Sequence, residues 1–407
     1  MLKSLQLREF KSFASEQVEF GRLTLLVGAN ATGKSNLLDA LRFLHGLSLG
    51  LSVADDLRGH WEGGRELWPG IRGGPREILR NGASTFALTS RWDSLSPGRL
   101  EHAIECTIDP QPAVTMERLT EEGQGEYLYD THGGSLGTAT GLQQGGALNV
   151  AVRPAGPGRS ARSTVASTHA VLGQIGPGER THHTVLPGCE ALRGALKGAL
   201  FLDISPRLMR EYVPRQMGEL GTHGQNVSAI LWRECQDHER KRDLLDWLTE
   251  LCAPEVTDID FIETELGDVM FRLIEAGGAR ISARSASDGT LRFLGELLAL
   301  QTAPERSLVV MEEIENGLHP ARVHLLIELI ESVTRHRGIQ VIATTHSPRV
   351  LKALSEESLG EAVVFGRHPA GPGTIARSLS ALQHFDEIVK RRGIEELFTT
   401  QWLERAL

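Results

Sequence analysis

One run of this 407-residue chain has the types and spacing to hold phosphate: Gly28-Ala29-Asn30-Ala31-Thr32-Gly33-Lys34-Ser35 fits G-x-x-x-x-G-K-[ST]. Gly28 and Gly33 let the backbone wrap tightly enough for its N–H groups to converge on phosphate oxygens at a helix N-terminus. Lys34 would bridge the β- and γ-phosphates and the Ser35 hydroxyl would ligate Mg2+; Asn30 and Asn36 are further candidate nucleotide-binding residues. Such a loop needs an acidic partner. Ser307-Leu308-Val309-Val310-Met311-Glu312-Glu313 supplies one: an apolar run that delivers two carboxylates at its C-terminal end, where ligands bind in open α/β sheets. Glu312 would hold Mg2+ through water, and Glu313 could orient and deprotonate an attacking water. Alone, the segment would be a strand ending in two solvated acids; beside the phosphate loop it reads as that loop's partner. A second apolar run, Ile339–Thr345, ends in His346, a group suited to touch a γ-phosphate and sense its loss. Ser285-Ala286-Ser287-Asp288-Gly289-Thr290 leads into a helix, with Ser287 or Asp288 as a respectable N-cap. The sharper alternative is a second anion site at Ser287 and Gly289, gripping a γ-phosphate presented by another subunit.

The elements that must position these groups follow from the hydrophobic pattern. Residues 2–8, 17–20 and 22–27 read as strands, the last containing the near-continuous apolar run Leu23-Thr24-Leu25-Leu26-Val27 of a buried strand. A helix follows from Lys34 to about His45. Residues 84–108 alternate apolar and polar side chains and predict an antiparallel patch beside the first strands. From Glu121 to Ser160 the chain is rich in Gly, including Gly133-Gly134 and Gly145-Gly146, and predicts turns, hairpins or linker at a lobe boundary. Residues 226–251 have core spacing for one long helix. The last third predicts a strand over 307–311, a helix from Pro320, strands over 339–345 and 361–365, and two short helices to Leu407. These elements predict an α/β P-loop NTPase fold: a mostly parallel central sheet, an antiparallel N-terminal patch and an inserted mainly helical lobe. The core is discontinuous, 1–125 with 281–385, interrupted by a Gly-rich linker and helical lobe at 126–280 and followed by helices at 386–407.

Composition excludes several classes. With 43 Lys plus Arg against 52 Asp plus Glu, the net charge of −9 would not drive the chain onto nucleic acid or an anionic membrane in bulk. Four scattered cysteines, Cys106, Cys189, Cys235 and Cys252, argue against a disulfide framework or zinc knuckle and for a cytoplasmic home. No apolar stretch approaches the ~18 residues of a membrane helix. Asp258-Ile259-Asp260 has the look of a metal pair but lies ahead of the Ser287 motif without room for the rest of such a site, and His182-His183 reads as a loop pair.

Taken together, the motifs resemble the ABC-type ATPases of the RecF/SMC/OLD branch, in particular the compact stand-alone bacterial AAA family (AAA_21-like) ATPases. Phe10-Lys11-Ser12-Phe13 and Asn36-Leu37-Leu38-Asp39-Ala40 resemble the opening of that group. Ser287-Asp288-Gly289-Thr290-Leu291-Arg292-Phe293 resembles its signature, Glu312-Glu313-Ile314-Glu315-Asn316-Gly317-Leu318-His319-Pro320 its Walker B and D-loop, and Thr345-His346-Ser347-Pro348 its switch histidine. Departures are Glu312 where Asp is frequent, Ile314 where Pro is common and Thr32 where Gly or Ser is frequent; Ser167–Gln174 is the candidate region for the Q-loop glutamine. The resemblance implies ATP and Mg2+ as cofactors, with Lys11 and Ser12 beside the nucleotide, and a head-to-tail homodimer in which Ser287 and Gly289 complete the partner's site. It further implies a slow ATPase acting as a switch in bacterial defence, sensing DNA or RNA or controlling a separately encoded nuclease of Toprim or HNH type. The stretch after His346 is too short for a nuclease domain of about 100 residues. The alternative is a RecF-like DNA-binding repair factor or a nucleotide-gated scaffold.

Overall fold

Every residue of the strand Leu23–Val27 is buried. It pairs in parallel with Gln340–Thr344 on one side and Val363–Arg367 on the other. Leu308–Met311 continues the parallel order beyond Gln340–Thr344, Leu200–Leu202 forms that edge, and Thr374–Ser378 closes the other edge antiparallel. This is the computed structural model of the chain, and it describes all residues except 96–97, 124–126, 132–141, 144–145, 155–159, 178–182, 252–255, 369–370 and 372. Cys252, Gly133-Gly134, Gly145 and His182 therefore lie outside the described residues.

Side chains alternate across the six-stranded sheet as the strand period requires. Leu23, Leu25, Val27, Val309, Met311, Val341 and Ala343 face a core built with the helices Asp288–Thr302 and Val323–His336. Leu26, Leu308, Val310 and Ile342 face a second core with the helix Lys34–Ser48. Covering both faces with helices is what makes these strands read as unbroken apolar runs.

The larger sheet is antiparallel. Its nine strands include Leu2–Phe10, Phe13–Glu19, Thr85–Leu95, Gly98–Thr107 and Ala113–Glu121, and continue through Tyr129–Asp130, Ala147–Val152 and Ala161–Ala166. The expected antiparallel N-terminal patch is thus part of the dominant sheet, and among the described residues parallel pairing occurs in the six-stranded one. Nor is the inserted segment mainly helical. Its first strands extend the antiparallel sheet, and Val213–Pro214, Val256–Glu263, Asp268–Glu275 and Arg280–Ser282 form a further small sheet. The β-branched and aromatic residues Val256, Ile259, Phe261 and Ile262 and Val269, Phe271 and Ile274 favour strand here. The single long helix expected over 226–251 is two, Val227–Glu234 and His238–Leu251. The break is Asp237, whose Oδ1 accepts the N–H groups of Glu239 and Arg240 at 2.9 and 3.3 Å and so starts a new helix. No described helix is long and apolar enough to cross a membrane.

One buried side chain ties the two sheets together. Gln340, 2% exposed, accepts the Leu2 N–H at 2.9 Å and donates to the carbonyls of Leu2 and Gly21 at 2.7 and 2.8 Å. Gln340→Leu would leave buried backbone groups unpaired, at about 1–3 kcal/mol each. The urea midpoint of the variant should fall by the equivalent of about 3 kcal/mol or more; an unchanged midpoint would remove Gln340 from this role.

Candidate functional site

The phosphate loop leaves its strand through Gly28 and enters the helix Lys34–Ser48 through Gly33, which adopts a left-handed conformation at φ 111°. Both glycines are required sterically. A Cβ on Gly28 would lie 2.4 Å from the Phe365 carbonyl, and one on Gly33 would lie 2.4 Å from Thr374 Oγ1. Thr374 Oγ1 also donates to the Thr32 carbonyl at 2.8 Å and accepts the Ser12 hydroxyl at 2.7 Å, and Asn36 Nδ2 donates to the same Ser12 hydroxyl at 2.8 Å. Ser12 and Asn36 thus brace the loop from outside. Thr32 Oγ1 donates to Ala29 O at 2.8 Å, a bond that a glycine in this position could not make.

Lys34 is 6% exposed and its ammonium donates to two carbonyls of its own loop, Gly28 at 2.7 Å and Ala29 at 2.9 Å. Burial pulls its pKa below the usual lysine value, and the charges of Glu404 and Glu313 resist that shift. Lys34 and Glu313 therefore feel one another's field. Asn30 is exposed at the tip of the loop.

The strand Leu308–Met311 releases Glu312 and Glu313 at the carboxyl edge of the sheet, beside the end of Gln340–Thr344. Thr344 fixes the turn: its Oγ1 accepts the Glu313 N–H at 2.9 Å, and its carbonyl accepts the Ile314 N–H at 3.3 Å. Glu313 is exposed, left-handed at φ 51°, and its Oε2 accepts Asn316 Nδ2 at 3.3 Å. Lys11 and Ala31 are also left-handed, at φ 49° and 63°. Non-glycine residues hold this conformation at a cost of about 1–3 kcal/mol, and such strain concentrates at functional sites.

A network of four charges, absent from the sequence reading, fills the space between loop and acids. Asp39, 1% exposed, accepts Lys11 Nζ at 2.6 Å and Arg72 Nε at 3.1 Å, and the Arg72 terminal nitrogens reach Glu312 at 3.1 and 3.4 Å. Nothing local to Arg72 signals this role; the segment between the phosphate-loop helix and the antiparallel sheet delivers it. Thr374 and Thr344 are likewise supplied by distant segments.

His346 is exposed, and its N–H donates to Glu315 Oε1 at 2.7 Å, which holds the start of the 346–348 turn against the Walker B segment. Ser287 caps the helix Asp288–Thr302 by accepting the Thr290 N–H at 3.1 Å. Gly289 meets the D-loop so closely that a Cβ would lie 2.1 Å from the Gly317 carbonyl. Among the described residues, no hydrogen bond or ion pair joins 285–290 to 28–36. Gln174 spends its amide on the backbone of Ala166, His169 and Ala170, and the neighbouring Gly173 lies by Leu47, at the far end of the helix from the phosphate loop. Asp258 pairs with Lys241 at 2.6 Å and Asp260 with Arg272 at 2.7 Å, an ion-paired arrangement on the small sheet.

Loop, carboxylate strand and capped helix at one sheet edge define an ABC-type, RecF/SMC-like ATPase. A family model described as "AAA domain, putative AbiEii toxin, Type IV TA system" matches residues 23–91 and 216–352, a little over half of the chain, and the chain belongs to this family. An ATP/GTP phosphatase of Helicobacter pylori is 20% identical over 365 residues, covering 88% of both chains. The DNA replication and repair protein RecF of a Synechocystis species is 54% identical over 44 residues, which is 11% of this chain and 12% of RecF. Among solved structures, an SMC head domain from Thermotoga maritima superposes with a TM-score of 0.44 at 14% identity, covering 93% of this chain and 98% of that one.

The Gly289–Gly317 approach generates a test. Gly289→Ala should push the turn Asn316–Leu318 aside, lowering stability by about 1–3 kcal/mol. Amide exchange should quicken at Asn316 and Leu318, whose N–H groups bond the Glu313 and Glu315 carbonyls. Unchanged exchange and stability would show that the contact is not close.

Proposed function

We propose that the protein is a Mg-dependent ATP-binding and ATP-hydrolysing switch that dimerises head to tail around ATP. Its dimer state then controls nucleic-acid sensing or a separately encoded effector nuclease in bacterial defence. The observation that carries this reading is the common edge of three adjacent parallel strands, from which Lys34, Glu312, Glu313 and His346 all emerge. The name of the Helicobacter relative, ATP/GTP phosphatase, supports the same chemistry.

In this reading the loop N–H groups and Lys34 hold the β- and γ-phosphates. Glu313 orients the attacking water and takes its proton. His346 meets the γ-phosphate, and Ser12, Lys11 and Asn36 keep the loop in shape. The Mg2+ implied by the family finds suitable hard oxygen donors in the Ser35 hydroxyl and the Glu312 carboxylate. In this structure the Arg72 guanidinium rests against Glu312 and the Ser35 carbonyl, so an ion held by Glu312 would have to take the place of that contact. When bound, the ion would neutralise charge on the β- and γ-oxygens. For the domain organisation we propose the discontinuous core of 1–125 and 281–385, with strands of 126–280 completing its two sheets and helices at 386–407 closing it.

The exposed tip at Ser287 and Asp288 supports a site completed by a second copy. A two-fold arrangement would make both sites equivalent.

Lys34→Ala is expected to abolish nucleotide binding, while Glu313→Gln keeps binding and slows hydrolysis by roughly 10²–10⁴. Calorimetric titration and phosphate release separate the two, and normal turnover in Glu313→Gln would exclude the base role. Ser287→Arg should remain monomeric with Mg-ATP in light scattering yet still bind it. A nucleotide-induced dimer in that variant would contradict the shared site.

A further inference from the structure

Arg72 holds the carboxylate on which the metal reading depends. It lies between the hairpin of His60–Glu62 and Arg65–Trp68 and the short helix Gly74–Glu77. Its Nε is 3.1 Å from Asp39 Oδ1, its two terminal nitrogens are 3.1 and 3.4 Å from the two oxygens of Glu312, and one of them is 3.5 Å from the Ser35 carbonyl. Lys11 locks the turn from the other side, donating to Asp39 Oδ2 at 2.6 Å and to the Arg72 carbonyl at 2.7 Å. The fork is therefore a fixed cation laid across both oxygens of Glu312, the geometry in which arginine binds a carboxylate best. A bare divalent ion approaching Glu312 meets like charge at contact distance, whereas a triphosphate in the loop adds the negative charge needed to offset it.

We propose that Arg72 is a positioning residue that closes Glu312 to free divalent cations, so that metal enters this site only together with nucleotide. The inference rests on the reading of Glu312 as the metal carboxylate. It makes metal and nucleotide binding reciprocal: each raises affinity for the other through release of one ion pair. Asp39 keeps Lys11 when Arg72 is removed, so the variant is not left with a naked buried carboxylate.

The test is Mn2+ binding by the full chain, followed through the paramagnetic resonance signal of free Mn2+. Without nucleotide, Arg72→Ala should bind Mn2+ at least about 10-fold more tightly than the unmodified chain, the usual scale of such coupling. Arg72→Lys should fall between, and a non-hydrolysable ATP analogue should shrink the difference. Adding Glu312→Gln to Arg72→Ala should abolish the gain. Equal Mn2+ affinities in two proteins that both bind Mn-ATP would overturn the inference and leave the ATPase reading standing. A gain that survives Glu312→Gln would assign the metal to other ligands and also overturn it. Failure of the unmodified chain to bind Mn-ATP would overturn the ATPase reading and this inference with it.

Discussion

The strand Gln340–Thr344 is wedged between the phosphate-loop strand and the carboxylate strand, and its carboxyl end bonds to both. The Thr345 N–H reaches the Leu26 carbonyl at 3.2 Å, while Thr344 takes the Glu313 and Ile314 N–H groups through its hydroxyl and its carbonyl. Three strands thereby end at one level, and the groups beyond them are set by backbone hydrogen bonding. At the opposite end Gln340 clamps Leu2 and Gly21, so the antiparallel sheet is anchored to the same strand. Strain at Ala31 and Glu313 is sustainable because their neighbours are pinned in this way.

Much of the site was legible because it is built from local backbone geometry. The phosphate loop needs glycine exactly where the Phe365 carbonyl and Thr374 crowd the chain, so its spacing appears in any sequence that folds this way. The buried strands are apolar throughout because helices cover both faces, which makes their ends easy to find. Arg72, Thr374 and Thr344 carry no such mark. They act through partners brought together by tertiary packing, Arg72 across 240 residues to Glu312 and Thr374 across 342 to Thr32. The two-helix division at Asp237 was readable in principle, since an aspartate ahead of a charged helical turn is a strong N-cap. The scale of the antiparallel sheet was less accessible. Its later strands are short and interleaved with glycine, so period-two patterning is weak there. The helix pattern of 226–251 is much the stronger signal in 126–280 and masks those fainter strands.

Charge is arranged differently around the phosphate loop and around the helix tip at Ser287. On the loop side, cations are already committed: Lys34 to its own carbonyls, Lys11 to Asp39, Arg72 to Asp39 and Glu312. Around Ser287, the helix Asp288–Thr302 presents a capped, exposed tip held against the D-loop through Gly289. Behind it Glu296 is buried, and burial raises its carboxyl well above the usual range despite Arg292, with Glu315 adding to the shift. Glu315 in turn holds the His346 N–H at 2.7 Å. The signature helix, the D-loop and the histidine turn are thus mechanically connected, the connection a switch driven by a bound triphosphate would need.

The central claim is that each nucleotide site draws its loop from one chain and its helix tip from another. Subunit complementation addresses it directly: Lys34→Ala and Ser287→Arg chains, each inactive alone, are mixed in equal amounts and phosphate release is measured. Mixed dimers contain one intact composite site while neither variant forms one with itself, so the account predicts phosphate release well above that of either variant alone. A mixture that stays as inactive as its components, although mixed dimers form, would contradict it.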